Sequence, residues 1–418
     1  MHKRRLKNGL RIITIPLKNT KVATVLVLVR TGSKHETKKI SGISHFLEHM
    51  LFKKTKKRPS PLKIAEDLDK IGGIYNAFTG NDYTGYYAKV NTSHLSLAID
   101  WVSDIYLNSL LPEEEVEKER GVIKEEINMY YDNPIFYCQT LFYSLLYGDQ
   151  PAGWDIAGTK ETVSAITRQD MLDYMNSQYR SESTVVIVAG NIKKRETERE
   201  IIDKFSNIRE GASKKNVPVL EEQKKPQALS FYKETDQTHI CLGARAFNSF
   251  SKERYSQEII ASILGGMMSS RLFIKIRDEL GLAYYIRTTA EDNPDTGLIL
   301  TRAGVDNRKT KDAISAIRKE YEKIKKEKVS PKELKKAKEQ IKGKMAIVLE
   351  SSDALSSFYG ASELLEGRIY SIEEIYNLID KVTAKDIQET AKQIFRPRNI
   401  NLALIGPHKD GKRFQKLL

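Results

Sequence analysis

Two segments decide our interpretation of the fold: Ile166-Thr-Arg-Gln-Asp170 and Val382-Thr-Ala-Lys-Asp386. Each begins a helical pattern and continues, through an aromatic–arginine pair, into an aliphatic run that ends in a glycine. Three pairs of equivalent positions are each separated by 216 residues: Asp170 and Asp386, Tyr179 and Phe395, and Gly190 and Gly406. Because a constant spacing across a helix-then-strand pattern is hard to obtain by accident, the sequence predicts two homologous domains related by internal duplication.

The best linker candidate lies near the middle of the chain, at residues 210–227. It contains two prolines and a lysine pair among mixed charges, and it has no sustained apolar period. The sequence therefore predicts a first domain over residues 1–209, a linker over 210–227 and a homologous second domain over 228–418.

Strand-like and helix-like segments alternate in the first third of the chain. The pattern predicts a buried strand, three helices and a hairpin that turns near Gly80-Asn81-Asp82: strand Val22–Val29, helix Ser41–Phe52 with Ser41 or Ser44 as N-cap, helix Pro61–Ile71, hairpin Tyr75–Val90 and helix Glu113–Tyr131. Strands beside helices in this order favour an α+β or mixed α/β layer structure. Together with the duplication, we expect the α+β class, with two homologous sandwich domains in which helices pack on an antiparallel-rich sheet.

The composition is that of a folded protein, with 418 residues of which 40% are hydrophobic and 30% charged. Two cysteines, Cys138 and Cys241, are too few for a disulfide scaffold and suit a reducing compartment. No stretch approaches the roughly 18 apolar residues of a membrane span, and the basic N-terminus does not continue into an apolar segment with a cleavage site. We therefore expect a cytoplasmic protein with no membrane partner.

The net charge of +14 raises the question of a polyanionic partner. The Lys-rich stretch from Arg308 to Lys344 alternates charged and apolar residues at helical spacing, which is typical of a solvated helix face. Since the chain has no nucleic-acid recognition motif and no interleaving of aromatic and basic residues, we expect no nucleic-acid partner.

The pentapeptide His45-Phe-Leu-Glu-His49 is the most informative segment for chemistry. Residues four apart on a helix share a face, so His45 and His49 can converge on one cation. Neutral imidazoles suit Zn²⁺, and Glu48 beside a zinc-bound water can accept its proton. The alternative interpretation is an ordinary amphipathic helix in which these polar residues have no function. However, burying histidine and glutamate side chains among apolar neighbours would cost free energy unless something pairs them.

A catalytic zinc site needs a third protein ligand, and the predicted helix Glu113–Tyr131 offers candidates. Glu119 and Glu126 are seven residues apart, which is two helical turns, so they share a face. One can bind the metal while the other accepts the outer N–H of a ligating histidine. The helical spacing does not decide which does which, and an acidic helix taken alone is usually just solvated.

The chain around these residues resembles the pitrilysin/insulinase family of zinc metallopeptidases, in particular the short two-domain members related to the mitochondrial processing peptidase. His45-Phe-Leu-Glu-His49 is that family's inverted zinc motif. The other matching segments extend over nearly the whole chain: Leu6-Lys-Asn-Gly-Leu10, Gly42 to Thr55, Asn76-Ala-Phe-Thr79, Glu119 to Glu126, Ser269-Ser-Arg-Leu-Phe273 and Arg277 to Tyr284. The resemblance implies a zinc metalloendopeptidase that hydrolyses extended peptides or unfolded polypeptides in a dimeric chamber.

The resemblance also assigns roles within the metal site. It implies that Glu126 is the third zinc ligand, that Glu119 supports a ligating histidine, and that Glu48 is catalytic. Glu125 is the competing ligand, one residue away but facing another direction on the helix.

Further roles implied by the resemblance concern the substrate. Asn76, Ala77 and Phe78 match an edge strand on which a peptide adds as an extra strand. In the second domain, Arg277 and Tyr284 match a substrate-binding pair, in which the tyrosine can donate to the oxyanion that develops at the scissile carbonyl. Since the chain carries both halves of such a site, we expect a homodimer with two composite active sites.

The chain departs from the family pattern at two places. The stretch from Asp149 to Thr159 lacks the family's His-Pro, and Gly265-Gly-Met-Met268 is short beside the glycine-rich loop that guides presequences in noncatalytic processing-peptidase subunits. The short loop argues against presequence processing. The alternative function is a non-catalytic assembly or core subunit of the same fold, but such proteins typically lose a zinc-site residue and this chain retains them all.

Overall fold

The computed structural model describes residues 1–418, which form two mixed β-sheets with helices packed on them. The first sheet consists of β1 (His2–Arg5), β2 (Arg11–Pro16), β3 (Val22–Val29), β4 (Ile74–Thr79), β5 (Thr84–Asn91) and β6 (Thr184–Gly190). The second consists of β7 (Gln227–Tyr232), β8 (Gln237–Ala246), β9 (Ala283–Asp292), β10 (Gly297–Asp306) and β11 (Ile400–Gly406).

Fifteen α-helices accompany the strands. They are α1 (Ile43–Met50), α2 (Pro61–Asp69), α3 (Leu95–Asn108), α4 (Glu113–Asp132), α5 (Pro134–Tyr147), α6 (Lys160–Ala165), α7 (Arg168–Gln178), α8 (Lys194–Lys204), α9 (Arg254–Gly265), α10 (Thr310–Lys326), α11 (Pro331–Val348), α12 (Ser352–Ala361), α13 (Ile372–Lys381), α14 (Ala384–Ile394) and α15 (Lys412–Gln415). Phe273–Glu279 and Ser362–Glu366 are π-helical turns. The predicted strand, helices and hairpin of the first third are therefore present. Their observed ends differ from the predicted ends by no more than two residues.

The two sheets repeat one topology. The first has the strand order β1-β2-β6-β3-β5-β4 and the second β7-β11-β8-β10-β9, which is the same order without β1. In each sheet the first of the shared strands pairs in parallel with the second, β2 with β6 and β7 with β11, and the remaining pairs are antiparallel. The predicted fold class, two homologous α+β sandwich domains, is confirmed.

The repeated segments that indicated the duplication form the same local structure. Thr167 and Asp170 at the start of α7 make a capping box, in which each side chain accepts from the other residue's backbone N–H. Thr383 and Asp386 do the same at the start of α14. Each helix then leads into a fully buried strand, β6 or β11. Since a capping box is set by residues three apart, it leaves a signature in the sequence.

The chain forms two compact units that are made of interleaved segments. The first unit comprises Met1–Asn128, Trp154–Val217 and Ile347–Ile369; the second comprises Met129–Gly153, Pro218–Ala346 and Tyr370–Leu418. Consequently α5, from the first half of the sequence, packs on β8 and β11, while α12, from the second half, packs on β3 and β6. The sequence did not predict this exchange of equivalent helices, and the boundaries at 209 and 228 stay a prediction.

Helix α1 lies against β4 in the first unit. Its apolar side chains Phe46, Leu47 and Met50 are fully buried, which contributes about 1.5–3 kcal/mol each. Because residues three and four apart share a helix face, the same packing turns His45 and His49 away from the core.

The start of α1 differs from the prediction. The N-cap is Gly42, in the left-handed conformation with φ 97°, and neither Ser41 nor Ser44 caps the helix. The buried carboxylate of Glu36 does so instead, accepting from the Gly42 N–H at 2.7 Å and the Ser44 N–H at 2.8 Å. A Cβ at residue 42 would lie 2.6 Å from the carbonyl oxygen of Ala157, so only glycine fits there.

Candidate metal centre

Helices α1 and α4 bring two imidazoles and one carboxylate together. The Nε2 atoms of His45 and His49 are 3.3 Å apart, and Oε2 of Glu126 lies 3.6 Å and 3.5 Å from them. These three residues offer ligand atoms that all lie within 4.8 Å of one another. Glu125 is exposed and accepts from Asn128 instead, so the structure brings Glu126, the alternative favoured by the resemblance, to the histidines.

The state of His45 fits a metal site. Burial and the neighbouring His49 lower the pKa of His45 to about 4, so its ring is neutral. Nδ1 of His45 is buried without a hydrogen-bond partner, so the polar contacts of this ring are on the Nε2 side, toward the cluster. Two imidazole nitrogens and one carboxylate oxygen are a donor set of catalytic zinc sites, so the residues fit Zn²⁺.

Glu119 contacts His49 at the ring nitrogen that faces away from the cluster. Its Oε1 lies 2.7 Å from Nδ1 of His49, and its Oε2 lies 2.5 Å from the Nζ of Lys53. Burial raises the pKa of Glu119, but the hydrogen bonds from His49 and Lys53 outweigh it, so the pKa is lowered and the carboxylate stays charged. A charged acceptor at Nδ1 leaves Nε2 of His49 directed at the cluster.

Glu48 lies beside the cluster without belonging to it. Its Oε2 accepts a hydrogen bond from Oγ1 of Thr79 at 2.5 Å. Burial raises the pKa of Glu48 above its ordinary value, although the hydroxyl of Thr79 and the nearby His49 oppose the rise. A carboxyl group with a raised pKa beside a group of potential metal ligands suits proton transfer.

The edge strand predicted to receive a peptide is β4. It lies at one end of the first sheet and pairs only with β5. Asn76 is exposed, and its Oδ1 accepts from the N–H of Ala77 at 2.9 Å, while Phe78 is half-buried. The outer edge of β4 is therefore available to another strand.

The remaining predicted residues, Arg277 and Tyr284, lie in the second unit. Arg277 belongs to the π-helical turn Phe273–Glu279, where its guanidinium lies 4.6 Å from the centroid of the Phe273 ring. Tyr284 is the second residue of β9, the edge strand of the second sheet, and 75% of its surface is exposed.

Three contacts of the site were absent from the sequence interpretation: Glu36 with the start of α1, Lys53 with Glu119, and Thr79 with Glu48. Lys53 follows His49 by four residues, which is a helical spacing that indicates a shared side of the chain. Glu36 and Thr79 leave no such signal, because their partners are fixed by the tertiary fold.

The fold and the cluster together define a class of protein. It is a duplicated α+β protein whose first half carries the motif His45-Phe-Leu-Glu-His49 on a short helix. The family model for insulinase, peptidase family M16, matches residues 11–160, and the model for the peptidase M16 inactive domain matches residues 165–341. The chain therefore belongs to the insulinase family, peptidase family M16.

Relatives cover almost the whole chain. An uncharacterized zinc protease of Bacillus subtilis is 35% identical over 401 residues, which are 96% of this chain and 97% of that protein. Among solved structures, a protease from Helicobacter pylori has a TM-score of 0.91 at 24% identity, covering 97% of this chain and 99% of the other. A peptidase M16 inactive domain from Pseudomonas fluorescens has a TM-score of 0.89 at 13% identity, covering 97% and 98%. These two likenesses show the fold.

None of the helices combines the length and apolar character that crossing a membrane requires.

Proposed function

We propose that this protein is a zinc metalloendopeptidase that hydrolyses extended peptides or unfolded polypeptides. The observation that carries the proposal is the convergence of His45, His49 and Glu126 beside the half-buried Glu48. The proposal is also supported by the relatives of this chain, which are named uncharacterized zinc proteases.

His45, His49 and Glu126 would hold the metal. Zn²⁺ bound there would supply Lewis acidity and lower the pKa of a bound water to roughly 7. Glu48 then accepts the proton of the attacking water and returns it to the leaving amine. Glu119 keeps the ring of His49 in the orientation that this requires.

Substrate binding in this proposal uses both halves of the chain. A peptide adds to the free edge of β4, so that its backbone is recognised and its side chains are left to surface pockets. Arg277 binds the peptide, and the hydroxyl of Tyr284 donates to the oxyanion that develops at the scissile carbonyl. We place these two residues opposite the metal site of a second copy, in a homodimer with two composite sites.

The test compares the wild-type protein with the Glu48→Gln variant. Both are incubated with a mixed peptide library, with and without a chelator, and their zinc content and thermal stability are measured. We expect chelator-sensitive cleavage by the wild type, and a loss of at least about a hundredfold in kcat for the variant with its zinc retained. Near-normal turnover in Glu48→Gln would contradict the mechanism.

A non-catalytic assembly or core subunit is the alternative, because one structural neighbour is named an inactive domain. Zinc analysis separates the two functions, since the absence of bound zinc after expression with ample zinc would favour the alternative. We also propose a cytoplasmic location, supported by two buried cysteines that form no disulfide.

A further inference from the structure

Thr79, the last residue of β4, contacts the proposed proton acceptor directly. Its Oγ1 donates to Oε2 of Glu48 at 2.5 Å, which is in the range of a strong hydrogen bond to a carboxylate. Glu48 is on α1, so this bond joins the peptide-binding strand to the helix that carries the metal motif.

The direction of the Thr79 side chain follows from the strand. Side chains alternate between the two faces of a strand, so Tyr75, Ala77 and Thr79 share one face. Ala77 is buried, and the Tyr75 ring stacks at 6.5 Å from the ring of Phe52, which follows α1. The face that holds Thr79 is therefore the face on which α1 packs.

The backbone of the same residues is directed to the outer edge of the sheet. The N–H of Ala77 donates to the side chain of Asn76 rather than to β5, so it lies on the free side of the strand. Residues two apart in a strand have the same orientation, so Thr79 also offers its backbone to the outer edge. One residue thus combines a free backbone edge with a side chain bonded to Glu48.

We propose that Thr79 is a positioning residue for Glu48. Its hydroxyl fixes the Glu48 carboxylate in one orientation beside the peptide that pairs with β4. The carboxylate oxygens can then accept the proton of the water and return it to the scissile amide. This inference rests on the proposed peptidase function and adds a specific role that the sequence interpretation did not assign.

The test uses two substitutions at Thr79 that separate the role of the hydroxyl from that of the methyl group. Thr79→Val keeps the shape and removes the hydroxyl, whereas Thr79→Ser keeps the hydroxyl. We expect Val to lower kcat by about ten- to a hundredfold with KM changed by less than about threefold, and Ser to keep most of the wild-type kcat. Zinc content and melting temperature should stay close to the wild-type values in both variants.

Thr84 supplies the matched control. It is the direct cross-strand partner of Thr79 on β5, but its hydroxyl donates to the carbonyl of Thr31. Thr84→Val should therefore keep the wild-type kcat despite a small loss of stability.

Wild-type kcat in Thr79→Val would overturn the inference, and so would a loss of zinc or of the folded state in both Thr79 variants, because either result means a merely structural role. A zinc-loaded wild type that cleaves no peptide would instead overturn the proposed function and this inference with it. The activity of the wild type thus distinguishes the two failures.

Discussion

Glu36 shows how one buried carboxyl group supports the metal helix. Both of its oxygens accept backbone N–H bonds at the start of α1, and 5% of its surface is exposed. Burial raises its pKa from 4.5 to about 7, although those hydrogen bonds oppose the rise. The folded state therefore holds a proton that the unfolded state has already released between these pH values.

The sign of the pH effect follows from this difference. A raised pKa in the folded state gives a contribution to stability that is complete below pH 4.5 and is lost as the pH rises toward 7. Between pH 5.5 and pH 8.5 the loss is about 2 kcal/mol. Glu36→Gln does not titrate, so its unfolding free energy should fall less than that of the wild type over this range.

Urea unfolding of the two proteins at pH 5.5 and pH 8.5 measures this difference. The wild-type protein serves as the reference because every other titrating group is common to both. Parallel pH dependences would show that Glu36 titrates at its ordinary pKa in the folded protein.

At this scale the sequence predicted the residues of the cluster but missed their supports. His45, Glu48 and His49 share one short helix, so their geometry follows from helical periodicity. Glu126 needed the family resemblance, since spacing alone left it level with Glu119. The contacts made by Glu36 and Thr79 depend on how a loop and a strand pack on α1, which no periodic pattern records.

Among the elements, the connection between α1 and α2 is held by one buried arginine. The side chain of Arg58 is 1% exposed, and it donates to Asp67 on α2 at 3.0 Å and to Asp104 and Asp100 on α3 at 2.7 Å and 2.9 Å. Three helical carboxylates thus bind one guanidinium. Its planar set of N–H donors points in several directions, so it can donate to all three.

Arg58→Met should destabilise the protein by about 3–5 kcal/mol, because it leaves three carboxylates without their common partner. Arg58→Lys should restore little of this loss, since an ammonium group cannot reproduce the three directions. Lys57→Met is the control: Lys57 also binds Asp100, but from an exposed position, and the expected change is below about 1 kcal/mol. Urea unfolding at neutral pH measures all three, and equal effects at positions 57 and 58 would contradict this role.

The exchange of α5 and α12 marks the limit of prediction for whole elements. No secondary structure was predicted from the sequence for either segment. The exchange depends on which of two similar sheets each apolar face covers, and the strands β6 and β11 present equally buried aliphatic surfaces. Local sequence therefore does not determine which of the two sheets each helix covers.

On the scale of the whole molecule, the two units share a sheet topology but differ in the side chains that could bind a metal. The described chain contains one cluster of potential metal ligands, in the first unit. In the second, α9 precedes the hairpin β9–β10 but has no histidine, and the matching family model is that of an inactive domain. The proposed substrate-binding pair, Arg277 and Tyr284, lies in this second unit.

This division makes the proposed homodimer testable by complementation. Under the proposed mechanism, Glu48→Gln should inactivate the metal half and Tyr284→Phe should weaken the substrate half, so each pure variant should have low activity. After random exchange of subunits, half of the dimers are mixed, and each mixed dimer has one site with both functional residues and one with neither. We therefore expect about a quarter of the wild-type activity from an equimolar mixture, if each site combines two subunits.

Native mass spectrometry of the mixture, with one variant isotope-labelled, measures how far the subunits have exchanged. The control is the same mixture before exchange, which should show the mean activity of the two pure variants. An active, fully exchanged mixture that stays at that mean would place each site within one chain. A monomeric mass for an active wild type would exclude the shared site altogether, because a single copy would then supply both Glu48 and Tyr284.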